Sequence, residues 1–191
     1  MEQISIAGIK SYPATTQNIA IQAFWITVFA ALTAIGAQIE IPHQPVPYTL
    51  QTFFVLLSAG LLGTRNGTLS QLLYLLAGAV GVPVFAGWGS GLTRLFGPTG
   101  GYLLSFPVAA FATAYLIHQH RSFIWSLISM GVGLFMVFSL GTVQLNVVFF
   151  HDWSKAITNG FLIFSWWDGL KLCLASAIYQ KIVTRWGSLA E

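Results

Sequence analysis

With 191 residues, 55% of them hydrophobic and only 7% charged, the chain cannot furnish the surface of an ordinary water-soluble domain, where roughly 25% of residues are charged. Its formal net charge of +3 comes from basic residues scattered singly near segment ends, with no patch or stripe for nucleic acid. The single cysteine, Cys173, rules out a disulfide framework and, lying in an apolar run, reads as a small buried hydrophobe.

Crossing about 30 Å of hydrocarbon takes about 20 apolar residues in a helix, so this length accommodates about six spans and little else. In chain order, residues 1–18 read as a segment ahead of the first span, which covers residues 19–39. That span is too long for the apolar core of a secretory signal and has more spans behind it, so it is expected to be retained. A short second span, 49–62, ends in Gly63-Thr64-Arg65-Asn66-Gly67, a turn rich in helix breakers. Asn66-Gly67-Thr68 also fits a glycosylation sequon, within a very short loop. The third span is 68–82, the fourth 101–117, the fifth 123–150 and the sixth 161–182. The expected fold is one all-α transmembrane domain of six helices within about 19–185.

Two connections stand out. Residues 40–48 hold Pro42, Pro45 and Pro47, and residues 83–98 hold Gly87, Gly89, Gly91 and Gly97 around Trp88. Proline stops a helix and glycine allows backbone shapes closed to other residues, so such segments either fold inward over a cavity or serve as plain connectors. Basic residues set the orientation. One side carries Lys10, Arg65, Arg121, Lys181 and Arg185, the other Arg94 and Lys155, five against two. Both termini are therefore expected in the cytoplasm, and both unusual loops outside.

Asp168 and Lys171 lie inside the last span, among Phe164, Trp166, Trp167, Leu170, Leu172 and Leu174. A charge at bilayer depth costs several kcal/mol and marks function by default. Spaced i,i+3, the two share a helix face. They either neutralise each other or offer an acceptor and a donor to one ligand. Trp166 and Trp167 suit an interfacial belt, and Trp88 suits an apolar wall over a ligand. Ala30 and Ala34, four apart with Thr27, Ala31 and Ala37 nearby, allow close approach of another helix or of a separate membrane subunit. No phosphate-binding loop of the G-x-x-x-x-G-K-[ST] type occurs, nor H-E-x-x-H, nor G-x-S-x-G. No metal or cofactor is expected. Ligand capture without covalent chemistry leads, and the alternatives are an intramembrane enzyme using Asp168 and Lys171 as acid and base, or a scaffold in which the pair is only an internal salt bridge.

Four segments carry a resemblance. Ile41-Pro42-His43-Gln44-Pro45-Val46-Pro47-Tyr48-Thr49-Leu50-Gln51-Thr52 resembles the P-V-P-x-T-x-Q segment of the BioY family. Tyr74 to Phe85 resembles its Y-L-x-x-G-x-x-G-x-P-V-F stretch, and Gly97-Pro98-Thr99-Gly100-Gly101-Tyr102 its G-P-T-G-G-Y signature. Asp168-Gly169-Leu170-Lys171 matches the D-x-x-K of its last helix. The resemblance implies the substrate-capture (S) component of an energy-coupling-factor (ECF) importer for biotin, in a bacterial cell membrane. The implied partners are a transmembrane coupling subunit, docked on the Ala30 and Ala34 face, and a pair of ATPases. Asp168 and Lys171 would meet the ureido ring of biotin. Phe85, Trp88 and Tyr102 would wall its apolar parts, and the backbone of Gly97, Gly100 and Gly101 would approach it closely. Gln51, Gly89, Gly91 and Thr99 complete the expected binding set. Where some relatives carry a basic residue after G-G-Y this chain has Leu103, and where some have Asn it has Gly89. Arg94 is therefore expected to take the ligand's carboxylate.

Overall fold

The computed structural model describes residues 19–120, 122–162 and 166–186. The segment 1–18, with Lys10, and the orientation-setting Arg121 lie outside the described residues. Helix α1 (Ile19–Gln38) leads into two short antiparallel strands, β1 (Glu40–Ile41) and β2 (Tyr48–Thr49), paired Glu40 to Thr49 and Ile41 to Tyr48. The three prolines fall between these strands, where no ladder hydrogen bond is demanded of them.

Helix α2 (Gln51–Ala79) would be about 43 Å long if straight, at 1.5 Å per residue. It is not straight. Gly63, with φ 75° and ψ −177°, adopts a backbone conformation essentially confined to glycine and folds the helix back on itself. Gln51 Nε2 consequently donates to the Tyr74 hydroxyl at 2.5 Å, and Gln71 Nε2 to Ser58 Oγ at 3.0 Å, across sequence gaps of 23 and 13 residues. The turn is tighter than the five-residue one expected from composition, because Gly63 alone leaves the helical region. Gly67 completes the hairpin: a Cβ there would stand 3.0 Å from the Ala59 Cα, so only hydrogen lets the legs touch. Asn66 is buried in this turn, which leaves no accessible sequon.

After a 3₁₀ turn (Ala86–Trp88) come α3 (Leu92–Phe96), α4 (Gly100–Ile117) and α5 (Phe123–Leu145). The Ser122 side chain caps α5 by accepting from the Trp125 N–H. A π turn (Asn146–Phe150) extends α5, and then α6 (Trp153–Ala156), capped by Asp152, and a second π turn (Ile157–Phe161) lead towards α7 (Trp166–Trp186). Residues 151–160, expected as a loop, are thus mostly helical. Gly160 explains why this piece packs closely: a Cβ on it would come within 2.7 Å of the Tyr102 hydroxyl.

Six rods therefore form the described bundle: α1, the two legs of α2, α4, α5 and α7. Helices α1, α4 and Phe123–Phe150 are long and apolar enough to cross a membrane, and Trp153–Phe161 with Trp166–Arg185, set at 47° to each other, make a fourth if the two are counted as one span. The first leg of α2 is shorter because it stands at the centre, with Val55, Leu56, Ala59, Leu61 and Leu62 all at most 1% exposed. Exposed Ile35, Leu76, Phe111, Ile128 and Phe135 spread an apolar outer surface suited to lipid. Cys173 is exposed on this outer face of α7 beside Leu174, not buried as its apolar surroundings led one to expect. Ala30 points into the core and Ala34 is half-buried against it, while the exposed small residues of α1 are Ala20, Ala23, Thr27 and Ala31.

Candidate functional site

At the end of the bundle that carries the Pro-rich hairpin, a cavity of about 490 Å³ opens between the 40–49 segment, the 83–99 segment and the ends of α2, α4, α5 and α7. This lies within the roughly 300–1,000 Å³ usual for small-molecule sites. Phe85, Leu103, Phe106, Val137 and Phe138 supply apolar wall, while Gln51, Asp168 and Lys171 supply buried polar groups.

Asp168 and Lys171 sit on the first turns of α7, where helix geometry sets them one turn apart. Lys171 Nζ lies 2.5 Å from Asp168 Oδ1, with the two side chains only 5% and 3% exposed. The lysine also donates to the Thr49 carbonyl at 3.0 Å and to Thr52 Oγ1 at 2.8 Å. All three ammonium donors are thereby engaged. A ligand acceptor reaching Lys171 must take the place of one of these partners. Both alternatives left open for the pair are therefore physically present: it is a buried salt bridge, and it lines a cavity.

Gln51 extends the polar wall. Its Oε1 accepts from Thr49 Oγ1 at 2.8 Å, its Nε2 donates to Tyr74, and Tyr74 donates on to the Val84 carbonyl at 3.2 Å. One run of hydrogen bonds thus joins the Pro-rich hairpin to the Gly-rich segment beneath the cavity rim. Phe85 is 1% exposed and lies against Gly78, where a Cβ would overlap its ring. Tyr102 lines the cavity and donates to the Gly160 carbonyl at 2.9 Å.

Of the residues singled out from sequence, Gln51, Phe85, Arg94, Thr99, Tyr102, Asp168 and Lys171 come together around this one space. The others are placed elsewhere. Trp88 is 71% exposed and outside the lining, its backbone N–H bound by Gln38 Oε1 at 3.1 Å. Gly89 forms a shelf beneath Arg94, a Cβ there falling 2.7 Å from Arg94 Nε. Gly91, at φ +86°, pins its segment to α2 by donating to the Gly78 carbonyl at 2.7 Å. Gly97 lies against the Thr93 carbonyl. Gly100 packs against the Leu95 carbonyl and the Gln144 amide, and Gly101 against Gln144 and the α5 backbone, rather than lining the cavity.

Thr49, Thr52, Val137 and Phe138 line the cavity without having been singled out. Thr52 closes the quoted Ile41–Thr52 segment and carried a signal, as a hydroxyl on the first turn of a span. Val137 and Phe138 carried none, because nothing distinguishes them within a 28-residue apolar run. Glu40 and His43 also reach the rim.

The comparisons with known proteins agree with this architecture. Biotin transporter BioY of Thermotoga maritima is 48% identical over 155 residues, 81% of this chain and 91% of the relative. A probable biotin transporter BioY of Pyrococcus horikoshii is 40% identical over 157 residues, 82% of this chain and 93% of the relative. The fold matches a crystal structure of the S-component for biotin from an ECF-type ABC transporter with a TM-score of 0.83, covering 93% of this chain and 97% of that one, at 22% identity. A family model for BioY spans residues 8–188, and the chain belongs to the BioY family.

Proposed function

We propose that this chain captures biotin in the cavity and serves as the substrate-binding subunit of an ECF-type importer, with its work confined to binding and passage. The observation that carries the reading is the Asp168–Lys171 pair, held out of water in the cavity wall. The ureido ring of biotin presents N–H donors and a carbonyl acceptor, the complement of a carboxylate and an ammonium. Hydrogen bonds to charged groups are worth about 1.5–3 kcal/mol each. Because the two groups are already dehydrated and oriented, the ligand replaces protein contacts rather than a water shell, which reduces the cost of binding. The thiophane ring and valeryl tail suit Phe85, Phe106 and Phe138.

Orientation belongs to the same reading. Arg185 follows Asp168 by 17 residues of α7, about 25 Å along the axis, and Arg65 lies at the hairpin turn away from Gln51. The cavity end therefore faces outward if basic residues mark the cytoplasmic side. The coupling subunit is proposed to dock within the membrane against the exposed small-residue face of α1, with the ATPase pair on the cytoplasmic side.

Calorimetric titration of the purified, detergent-solubilised chain tests the assignment. Saturable binding of biotin is expected, with thiamine and riboflavin failing to compete, and Asp168→Asn weakening biotin by at least about tenfold. Equal binding by the Asp168→Asn protein, or displacement of biotin by either other vitamin, would rule the reading out.

A further inference from the structure

Arg94 lies near the C-terminal end of α3, a helix of five residues whose last carbonyls have no partner within the helix. Gln144, from α5, supplies one. Its Nε2 donates to the Leu95 carbonyl at 2.8 Å and to the Gly97 carbonyl at 3.0 Å. This amide otherwise sits in an apolar groove among Leu104, Leu140, Val143 and Val147, where an unpartnered amide is costly. The fit is close on every side. A Cβ on Gly100 would overlap the Leu95 carbonyl and lie 2.5 Å from Gln144 Nε2, and one on Gly101 would lie 2.6 Å from Gln144 Cβ. Across the segment, Gly89 leaves the shelf on which the Arg94 guanidinium rests. Among the described residues no carboxylate pairs with Arg94, which lines the cavity.

We propose that Gln144 is a positioning residue: by capping α3 it holds Arg94 over the cavity to receive the carboxylate end of the ligand. The proposal rests on the biotin reading and deepens it. Gly100 and Gly101 of the G-P-T-G-G-Y signature then serve the ligand indirectly, by admitting the Gln144 amide between α4 and the end of α3.

A second glutamine gives the internal control. Gln38, at the end of α1, donates to the Phe85 carbonyl at 3.1 Å and accepts from the Trp88 N–H. It steadies the half of the segment that carries the apolar wall, its hydrogen bonds outside α1 going to Val84, Phe85 and Trp88 rather than to α3. Losing it affects acidic and neutral ligands alike.

The test titrates the full chain with biotin and with biotin methyl ester, which lacks the negative charge. The wild-type chain is expected to prefer the acid, and Arg94→Ala to abolish that preference. Gln144→Met should weaken the acid about tenfold and leave the ester unchanged. Gln144→Leu, close in size but without donors, should do the same, whereas Gln38→Met should weaken both ligands equally. Retention of the preference in Arg94→Ala or in both Gln144 variants overturns the proposal, as does equal weakening of acid and ester by Gln144→Met. Amide hydrogen exchange of the ligand-free chain supplies an arm independent of biotin. Gln144→Met should accelerate exchange at residues 92–97 and leave 84–88 unchanged. Unaltered exchange at 92–97 overturns the positioning role even if the wild-type chain fails to bind biotin, a failure that would instead strike the functional reading.

Discussion

At Gly78 a single methyl group would overlap the ring of Phe85, whereas at Gly169 the same group would meet nothing within 4 Å. The two positions give opposite expectations for one substitution. Gly78→Ala should cost about 1–3 kcal/mol through overpacking, and should also weaken ligand binding because Phe85 lines the cavity. Gly169→Ala, on the first turns of α7, should be neutral or stabilising by up to about 1 kcal/mol, the helix-propensity difference. Thermal unfolding in detergent checks both, and a Gly78→Ala protein as stable as the parent would contradict the packing argument. Residue-level chemistry was readable to different degrees. Asp168 and Lys171 stood out because charges in an apolar run are improbable without a purpose. Trp88 was a reasonable candidate by residue type, yet its direction depends on Gly87, at φ +62°, and on Gln38, fifty residues away. No local pattern records that.

The elements show how a short apolar segment can occupy the middle of a bundle. Only Gly63 leaves the helical region between Gln51 and Ala79, and its conformation costs a non-glycine residue about 1–3 kcal/mol. Alanine there would favour a continuous helix and pull Gln51 from Tyr74 and Ser58 from Gln71. Gly63→Ala is accordingly expected to lower the melting temperature and reduce folded yield on size exclusion, more than Gly131→Ala, where an added methyl meets its first neighbour at 4.0 Å. Equal stability of the two variants would show that the hairpin does not depend on Gly63. The Gly-rich segment makes a related point. It is held at one shoulder by Gln38 and at the other by Gln144, with Gly91 pinned to Gly78 between them. Glycine density announced an unusual backbone. Which helices would grip it lay in two glutamines that sequence reading passed over.

For the whole molecule, orientation is the property most open to direct test. On a Cys173→Ser background, needed because the native cysteine is exposed, a cysteine at His43 is expected to react with a membrane-impermeant maleimide on intact cells. One at Arg185 should not react until the cells are permeabilised. The reverse pattern would place the cavity on the cytoplasmic side. Composition, hydropathy and the scarcity of charge were sufficient by themselves for a membrane bundle of six rods, and the D-x-x-K spacing for a paired acid and base on one face, because length against bilayer thickness and helical period are local rules. Which residues share the cavity was decided only by the tertiary structure. Thr49, Thr52, Phe138 and Lys171 come from segments more than a hundred residues apart at the extremes, and the glycines at 100 and 101 turn to Leu95 and α5 rather than to the ligand space. Helix–helix contact in lipid is settled by shape and by satisfaction of polar groups between rods, and neither is written in the order of residues along any one of them.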